Sequence, residues 1–269
     1  MKTLTLTAAL TFVLHSLACG GQQRPGSAPA PSPTPETVIV NESGLSPGGT
    51  AVLKDLLFAD LTLEKLLAAT DPNSPGAKED PWRGFASAVE HTKRGKPEEA
   101  KKDLRRVLAM PEPETRIVLS AWTALRAMGE RPPRDAADEV QGVVCELHNE
   151  AGIGTLAAYA DGRARWLAGQ GAGSIWEAPG SDKEVDDLIA ALLKSVGPLV
   201  KRAPAVETRA PAEVEMEHFR VSVLTLGGIH VVDVYGPDID GKERHLAPTL
   251  MASVRLLDAL TERVNRKGK

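Results

Sequence analysis

Residues 143–167 read VVCELHNEAGIGTLAAYADGRARWL. The run Val143-Val144-Cys145-Glu146-Leu147 is apolar and β-branched and reads as a strand. Leu156–Ala160 and Arg163–Leu167 flank Asp161-Gly162, a dipeptide that favours a two-residue hairpin turn. Such a turn pairs Tyr159 with Ala164 and Ala157 with Trp166, so these four share one face, and that face is expected to be buried. Arg163 and Arg165 then fall on the opposite face beside Ala158 and Ala160. There they form a shallow positive surface suited to an anion or a partner protein.

Working toward the C-terminus, Ser174–Glu177 reads as a further strand. Ser181-x-x-Glu184 is a capping box that opens a helix carrying Val185, Leu188, Ile189, Leu192, Leu193 and Val196 on one stripe, and Gly197-Pro198 is expected to stop or kink it. After a Pro- and Glu-rich connector, Phe219–Leu226 and Ile229–Tyr235 form a second hairpin around Gly227-Gly228. Residues 248–264 then read as a helix with Leu250, Val254, Leu257, Leu260 and Val264 inward. Strands, helix, strands, helix, without alternating βαβ units, is the order of an α+β domain: an antiparallel sheet with helices packed on it. This order resembles the roadblock and longin group of small α+β domains, and the resemblance implies a dimerising platform, a homodimer included, rather than an enzyme.

The N-terminal side is helical. From Thr50, Val52, Leu53, Leu56, Leu57, Leu66 and Leu67 recur at helical spacing to about Thr70, as one long or two short helices. Phe85, Ala88, Gly95, Ala100, Leu104 and Leu108 follow. A small residue, a turn glycine and an alanine five residues on are similar to the tetratricopeptide pattern, and Gly129 follows Gly95 at about that repeat's 34-residue period, with Trp122 and Leu125 before it. The resemblance implies antiparallel helix pairs with a protein-binding surface. On the first pair, Lys93, Arg94, Lys96, Lys101, Lys102, Arg105 and Arg106 outnumber Glu98, Glu99 and Asp103. Lys101 and Arg105 are the candidate contacts for anionic lipid or an acidic partner.

Residues 1–18 combine Lys2, an apolar run from Leu4 to Val13 and small residues before Cys19, the parts of a secretory signal. Leu17-Ala18-Cys19-Gly20 resembles the lipobox of bacterial lipoproteins, although Ser16 stands where Leu is usual. The resemblance implies diacylglyceryl attachment at Cys19, with palmitate as a label, and Gly20 implies onward export to the outer membrane on its periplasmic side. Residues 19–49 are rich in Pro, Ser and Ala and read as a semi-rigid tether. The organisation expected is therefore signal 1–18, tether 19–49, helical part 50–138 and α+β part 139–269, with the join where Pro132-Pro133 interrupts the helices.

The 269 residues carry 32 Lys and Arg against 36 Asp and Glu, a net charge of −4, which argues against nucleic acid as the main partner. Two cysteines cannot build a disulfide framework or a multi-Cys zinc site. Cys145-x-x-His148 places its side chains on opposite faces of a strand, so no metal is expected there. Gly169-Gln-Gly171-Ala-Gly173 is followed by a strand, where a phosphate loop needs a helix, and Asp238–Gly241 lacks the end ligands of a calcium loop. No cofactor and no catalytic set is expected. The chain is thus read as a lipid-anchored, non-catalytic binding or assembly module of the cell envelope. Two alternatives are a hydrolase or toxin using Glu146, His148, Asp161 or Glu177, and an anion sensor using Arg163 and Arg165.

Overall fold

The computed structural model describes residues 37–40, 53–70, 76, 78–169, 173–207, 209 and 213–267. The signal-like stretch, Cys19, Thr50, Gly171 and most of the tether lie outside them. The elements are β1 (Thr37–Val40), α1 (Leu63–Ala68), α2 (Trp82–Lys93), α3 (Pro97–Leu108), α4 (Thr115–Ala127), α5 (Arg134–Ala137), β2 (Val140–Asn149), β3 (Gly152–Tyr159), β4 (Ala164–Leu167), β5 (Gly173–Trp176), α6 (Lys183–Val200), β6 (Ala205–Val206), β7 (His218–Thr225), β8 (Gly228–Tyr235) and α7 (Ala247–Lys267). Helices thus precede an antiparallel sheet on which further helices pack, the α+β arrangement expected. The eight strands form one sheet in the order β1-β5-β4-β3-β2-β7-β8-β6, every pair antiparallel.

Alternation along the strands assigns their two faces. Val143, Cys145, Leu156, Ala158, Val221 and Val223 point to the layer made by α6 and α7, where Val185, Ile189, Leu192, Val196, Leu250, Leu256 and Leu260 close a core. Val144, Ala157, Tyr159, Leu167, Leu224 and Ile229 point the other way and are covered by Leu57, Phe58, Ala59 and Leu119. The sheet is therefore the middle of three layers. The N-terminal helices keep a core of their own from Leu63 and Leu66 through Phe85, Ala88, Ala100 and Leu104 to Ala121 and Leu125. Gly95 and Gly129, both at positive φ, turn the chain out of α2 and α4, a conformation that glycine adopts without strain. The segment after Gly129 supplies only the four-residue α5 before β2 begins.

Several boundaries differ from the sequence reading, each for a local reason. Thr37–Val40, inside the stretch read as tether, pairs with β5 as an edge strand, because four consecutive β-formers interrupt the prolines there. The leading apolar segment is two short helical pieces, residues 53–56 and α1, broken where Ala59 takes φ +53°. Helix α6 is capped by Asp182, which accepts from the amides of Glu184 and Val185, while the Ser181 hydroxyl donates to the Ala178 carbonyl. It also runs through Gly197-Pro198 to Val200, since Pro198 is exposed, so water can take the carbonyl its ring leaves unpaired. In α7, Leu256 rather than Leu257 faces inward, and the stripe passes through the buried Ser253, whose hydroxyl bonds the Thr249 carbonyl and the Cys145 thiol.

Candidate functional site

The β3–β4 hairpin decides where the two candidate arginines go. Its loop has three residues, not two: the Tyr159 amide donates to the Arg163 carbonyl, the Gly162 amide to the Tyr159 carbonyl, and Gly162 takes φ +82°. The register consequently pairs Ala158 with Ala164, Ala157 with Arg165 and Leu156 with Trp166. One residue of slip exchanges the faces. Arg165 and Arg163 lie on the side of Ala157 and Tyr159, facing the N-terminal layer, and Trp166 lies over Gly154 on the side of α6 and α7.

There the arginines meet carboxylates. Arg163 donates to Glu177 at 2.8 Å and to Asp161 at 3.0 Å, Arg165 pairs with Glu177 and reaches Glu114 at 3.5 Å, and Arg116 donates to Glu114 at 2.5 Å. The Arg116 and Arg165 guanidinium carbons both stand 6.0 Å from the centre of the Tyr159 ring. Burial pushes the Tyr159 phenol up to about 12 against the pull of these two cations. Three cations and three carboxylates therefore make a closed seam rather than an open positive surface. Asp161 adds a second link, accepting from the Thr115 amide at 2.7 Å, while its own amide donates to the Thr115 hydroxyl at 3.2 Å. This places a carboxylate at the positive end of α4.

The basic face of the helix pair is also matched in part. Lys101 pairs with Glu98 at 2.8 Å, Arg105 grips both oxygens of Glu130, Arg106 lies 3.3 Å from Asp103 and Arg94 lies 2.7 Å from Glu90. Asp103 is itself buried between α2 and α3, accepting from Ser87 at 2.6 Å and bonded to His91 at 2.8 Å. Lys93, Lys96 and Lys102 remain as exposed cations. Lys101, Arg105, Arg163 and Arg165 are not gathered into one site: the first two lie on α3 and the others in the hairpin seam.

Two further ties hold the connector between β6 and β7 across the N-terminal layer. Arg126, whose side chain is 2% exposed, donates to Glu207 at 2.7 Å and to the Leu226 carbonyl at 2.6 Å. Burial opposes ionisation of Glu207, but hydrogen bonds from Arg126 and Arg131 outweigh it and hold the carboxyl below its ordinary range. Arg209 pairs with Asp55 and Asp60, and its guanidinium lies 3.8 Å from the centre of the Phe58 ring.

The four residues named for a catalytic alternative separate into two places. Asp161 and Glu177 belong to the arginine seam. Glu146, 3% exposed, binds Lys54 at 2.7 Å, and His148, two residues along the same face, bonds through Nδ1 to the Val214 carbonyl at 2.6 Å. Cys145 points to the opposite layer, so it and His148 cannot share an ion, and burial pushes its thiol up to about 12. Beside His148 is a hollow of about 350 Å³ lined by Lys54, Gly152, Ile153, Thr155, Leu167 and Glu213, among others. Thr155 was open to discovery from the sequence, since it alternates with Ala157 and Tyr159. Lys54 and Glu213 were not, because they reach the hollow from distant segments.

Among the described residues no group of His, Cys, Asp and Glu is placed to hold a metal ion, and no helix is long and apolar enough to cross a membrane. Comparison with family models, curated proteins and solved structures returns no match to this chain.

Proposed function

We propose that this protein is a lipid-anchored component of the bacterial envelope that acts as a non-catalytic binding or assembly module. The observation that supports the reading is the use made of its charged groups. Asp161 and Arg165 reach Thr115 and Glu114 of the helical layer, Arg126 reaches Glu207 and the Leu226 carbonyl, and Arg209 reaches Asp55 and Asp60. These side chains, well suited to chemistry or ligand capture, tie the layers together, while Arg163 and Glu177 brace the hairpin. Ties of this kind restrain the layers against one another, and such restraint lowers the entropy lost when a partner docks. The lipobox-like Cys19 and the Pro-rich stretch after it supply attachment and reach, and the exposed Lys93, Lys96 and Lys102 offer an acidic partner a first electrostatic contact.

The test combines anchoring with function. Metabolic labelling with a clickable palmitate should mark the wild type and leave Cys19→Ala unlabelled and released from membranes. Envelope partners cross-linked to the anchored protein should be retained when Glu146→Gln or Asp161→Asn is introduced into a form shown to be folded. Label persisting in Cys19→Ala removes the anchor from the proposal. Loss of the cellular effect in a folded, anchored Glu146→Gln protein replaces binding with catalysis.

A further inference from the structure

One edge of the sheet is closed by a strand taken from the Pro-rich N-terminal stretch. β5 pairs with β4 on one side and with β1 on the other, Val38 standing opposite Ile175 and Ile39 opposite Ser174. Among the described elements β1 makes its main packing contacts with β5, and residues 41–52 separate it from the first helical piece. Four residues held by one ladder recover few hydrogen bonds for the backbone freedom they give up, so β1 belongs to the least stable part of the fold. When it leaves, the outer N–H and C=O groups of Gly173–Trp176 lose their ladder, and an unpaired edge of this kind is a template for an added strand.

β1 is also an incomplete match to that edge. Ser174 is 4% exposed, and its hydroxyl has no hydrogen-bond partner among the described residues. Buried hydroxyls are rarely left in that state, because desolvation without a partner is unfavourable. In the observed register the positions directly opposite Ser174, on the same face, are Trp166 in β4 and Ile39 in β1. The β1 position is thus held by an apolar residue type. A strand with Asn, Asp, Ser or Thr there brings an acceptor to the hydroxyl. A second copy of this chain would bring the same Ile39, so the unmatched Ser174 points to a different protein.

We infer that the outer edge of β5 is the docking site for an extended segment of a partner protein, added antiparallel in place of β1, with β-branched apolar residues around one hydrogen-bonding residue opposite Ser174. Main-chain bonds supply the affinity and the residue opposite Ser174 the selectivity. This assignment rests on the binding reading proposed above and names its surface, and it does not depend on the anchor at Cys19. The test uses full-length protein in detergent and two fluorescent peptides, followed by anisotropy: the β1 sequence Thr-Val-Ile-Val flanked by lysines, and the same peptide with Asn in place of its Ile. Two altered proteins accompany the wild type. In one, Val38→Cys with Ile175→Cys locks β1 in place when oxidised, the two positions being directly opposite. In the other, residues 37–40 are replaced by Gly-Ser-Gly-Ser, which frees the edge.

The freed protein should bind both peptides about tenfold or more tightly than the wild type, because no strand competes for the edge, and the locked protein should bind neither until it is reduced. The Asn peptide should bind about fivefold more tightly than the Ile peptide, the gain of one hydrogen bond, and Ser174→Ala should remove that preference. A purely structural role for Ser174 would not alter the choice between peptides. Equal binding to locked and freed protein, no binding to the freed protein, or equal affinity for the two peptides when Ser174 is present overturns the inference. Self-association of the wild type that the lock abolishes also overturns it and assigns the edge to a second copy. Envelope partners cross-linked equally well by the locked protein overturn this site alone and leave the binding reading in place.

Discussion

Tyr159 connects parts of the chain that are far apart in sequence. Its ring is fully buried beneath Arg116 and Arg165, and its hydroxyl donates to the Leu57 carbonyl at 2.7 Å. Tyr159→Phe keeps the ring and strands the carbonyl, so chemical denaturation should show a loss of about 1–2 kcal/mol. Arg165, by contrast with the two-residue-turn expectation, is 89% covered at the side chain, being 11% exposed, and leaves Glu177 short of a partner when removed. Arg165→Ala should therefore cost about 1–3 kcal/mol, measured by the same method, rather than the near-neutral effect of an open-face residue. Two buried acids set the alkaline limit. Cys145 and Tyr159 are both held protonated to about 12, whereas in the unfolded chain they ionise near their ordinary values of 9.0 and 10.0. Between about pH 9 and 12 the unfolded state thus binds fewer protons than the folded one, and stability should fall as pH rises, by on the order of 1 kcal/mol per pH unit for each group. Denaturation midpoints at pH 8 and pH 11 check the sign, and Cys145→Ala should flatten the first part of the fall.

Helix α6 shows how a breaker can be tolerated. Gly197 precedes Pro198 within the helix, where a Cβ would press on the proline ring, so glycine at this position relieves the strain of a helical residue before proline. Gly197→Ala should lower stability by about 1 kcal/mol, visible as a downward shift in melting temperature. At Gly154 a Cβ would enter the Trp166 ring, and Gly154→Ala should lower stability by about 1–3 kcal/mol. Elements of this kind were legible in the sequence wherever one local rule acted: apolar and β-branched runs beside turn residues marked β2, β3, β7 and β8, and 3.6-residue periodicity marked α6 and α7. Decisions between two local rules were not. Asp161-Gly162 suits a two-residue turn, but with only Gly162 at positive φ the chain makes a three-residue turn, and the faces of Arg165 and Trp166 depend on that choice. Asp182 and Ser181 are both good caps, and only Asp182 also meets Arg263, at 2.7 Å.

At the scale of the whole molecule, the feature least visible in the sequence is the contact between layers. Leu57, Phe58 and Ala59 read as one more turn of an amphipathic helix, yet they form the cover of the sheet at Val144, Ala157 and Leu224. Lys54 with Glu146, Arg126 with Glu207 and Arg209 with Asp60 are likewise pairs that no local spacing signals. Because the cover belongs to the N-terminal part, residues 139–269 produced alone should bind a hydrophobic dye and melt at lower temperature, whereas the full-length protein should unfold in one transition. The strand order carries a consequence in time. β2 lies at the centre of the sheet between β3 and β7, but β2 ends at Asn149 and β7 starts only at His218. At about 5–20 residues per second, a nascent chain takes several seconds to cross that interval, and during it the Val143-Val144-Cys145 edge has been made while its partner has not. An edge left open for this long needs guarding, so a holding chaperone should engage the nascent chain just after β5 emerges and release it once β8 has followed.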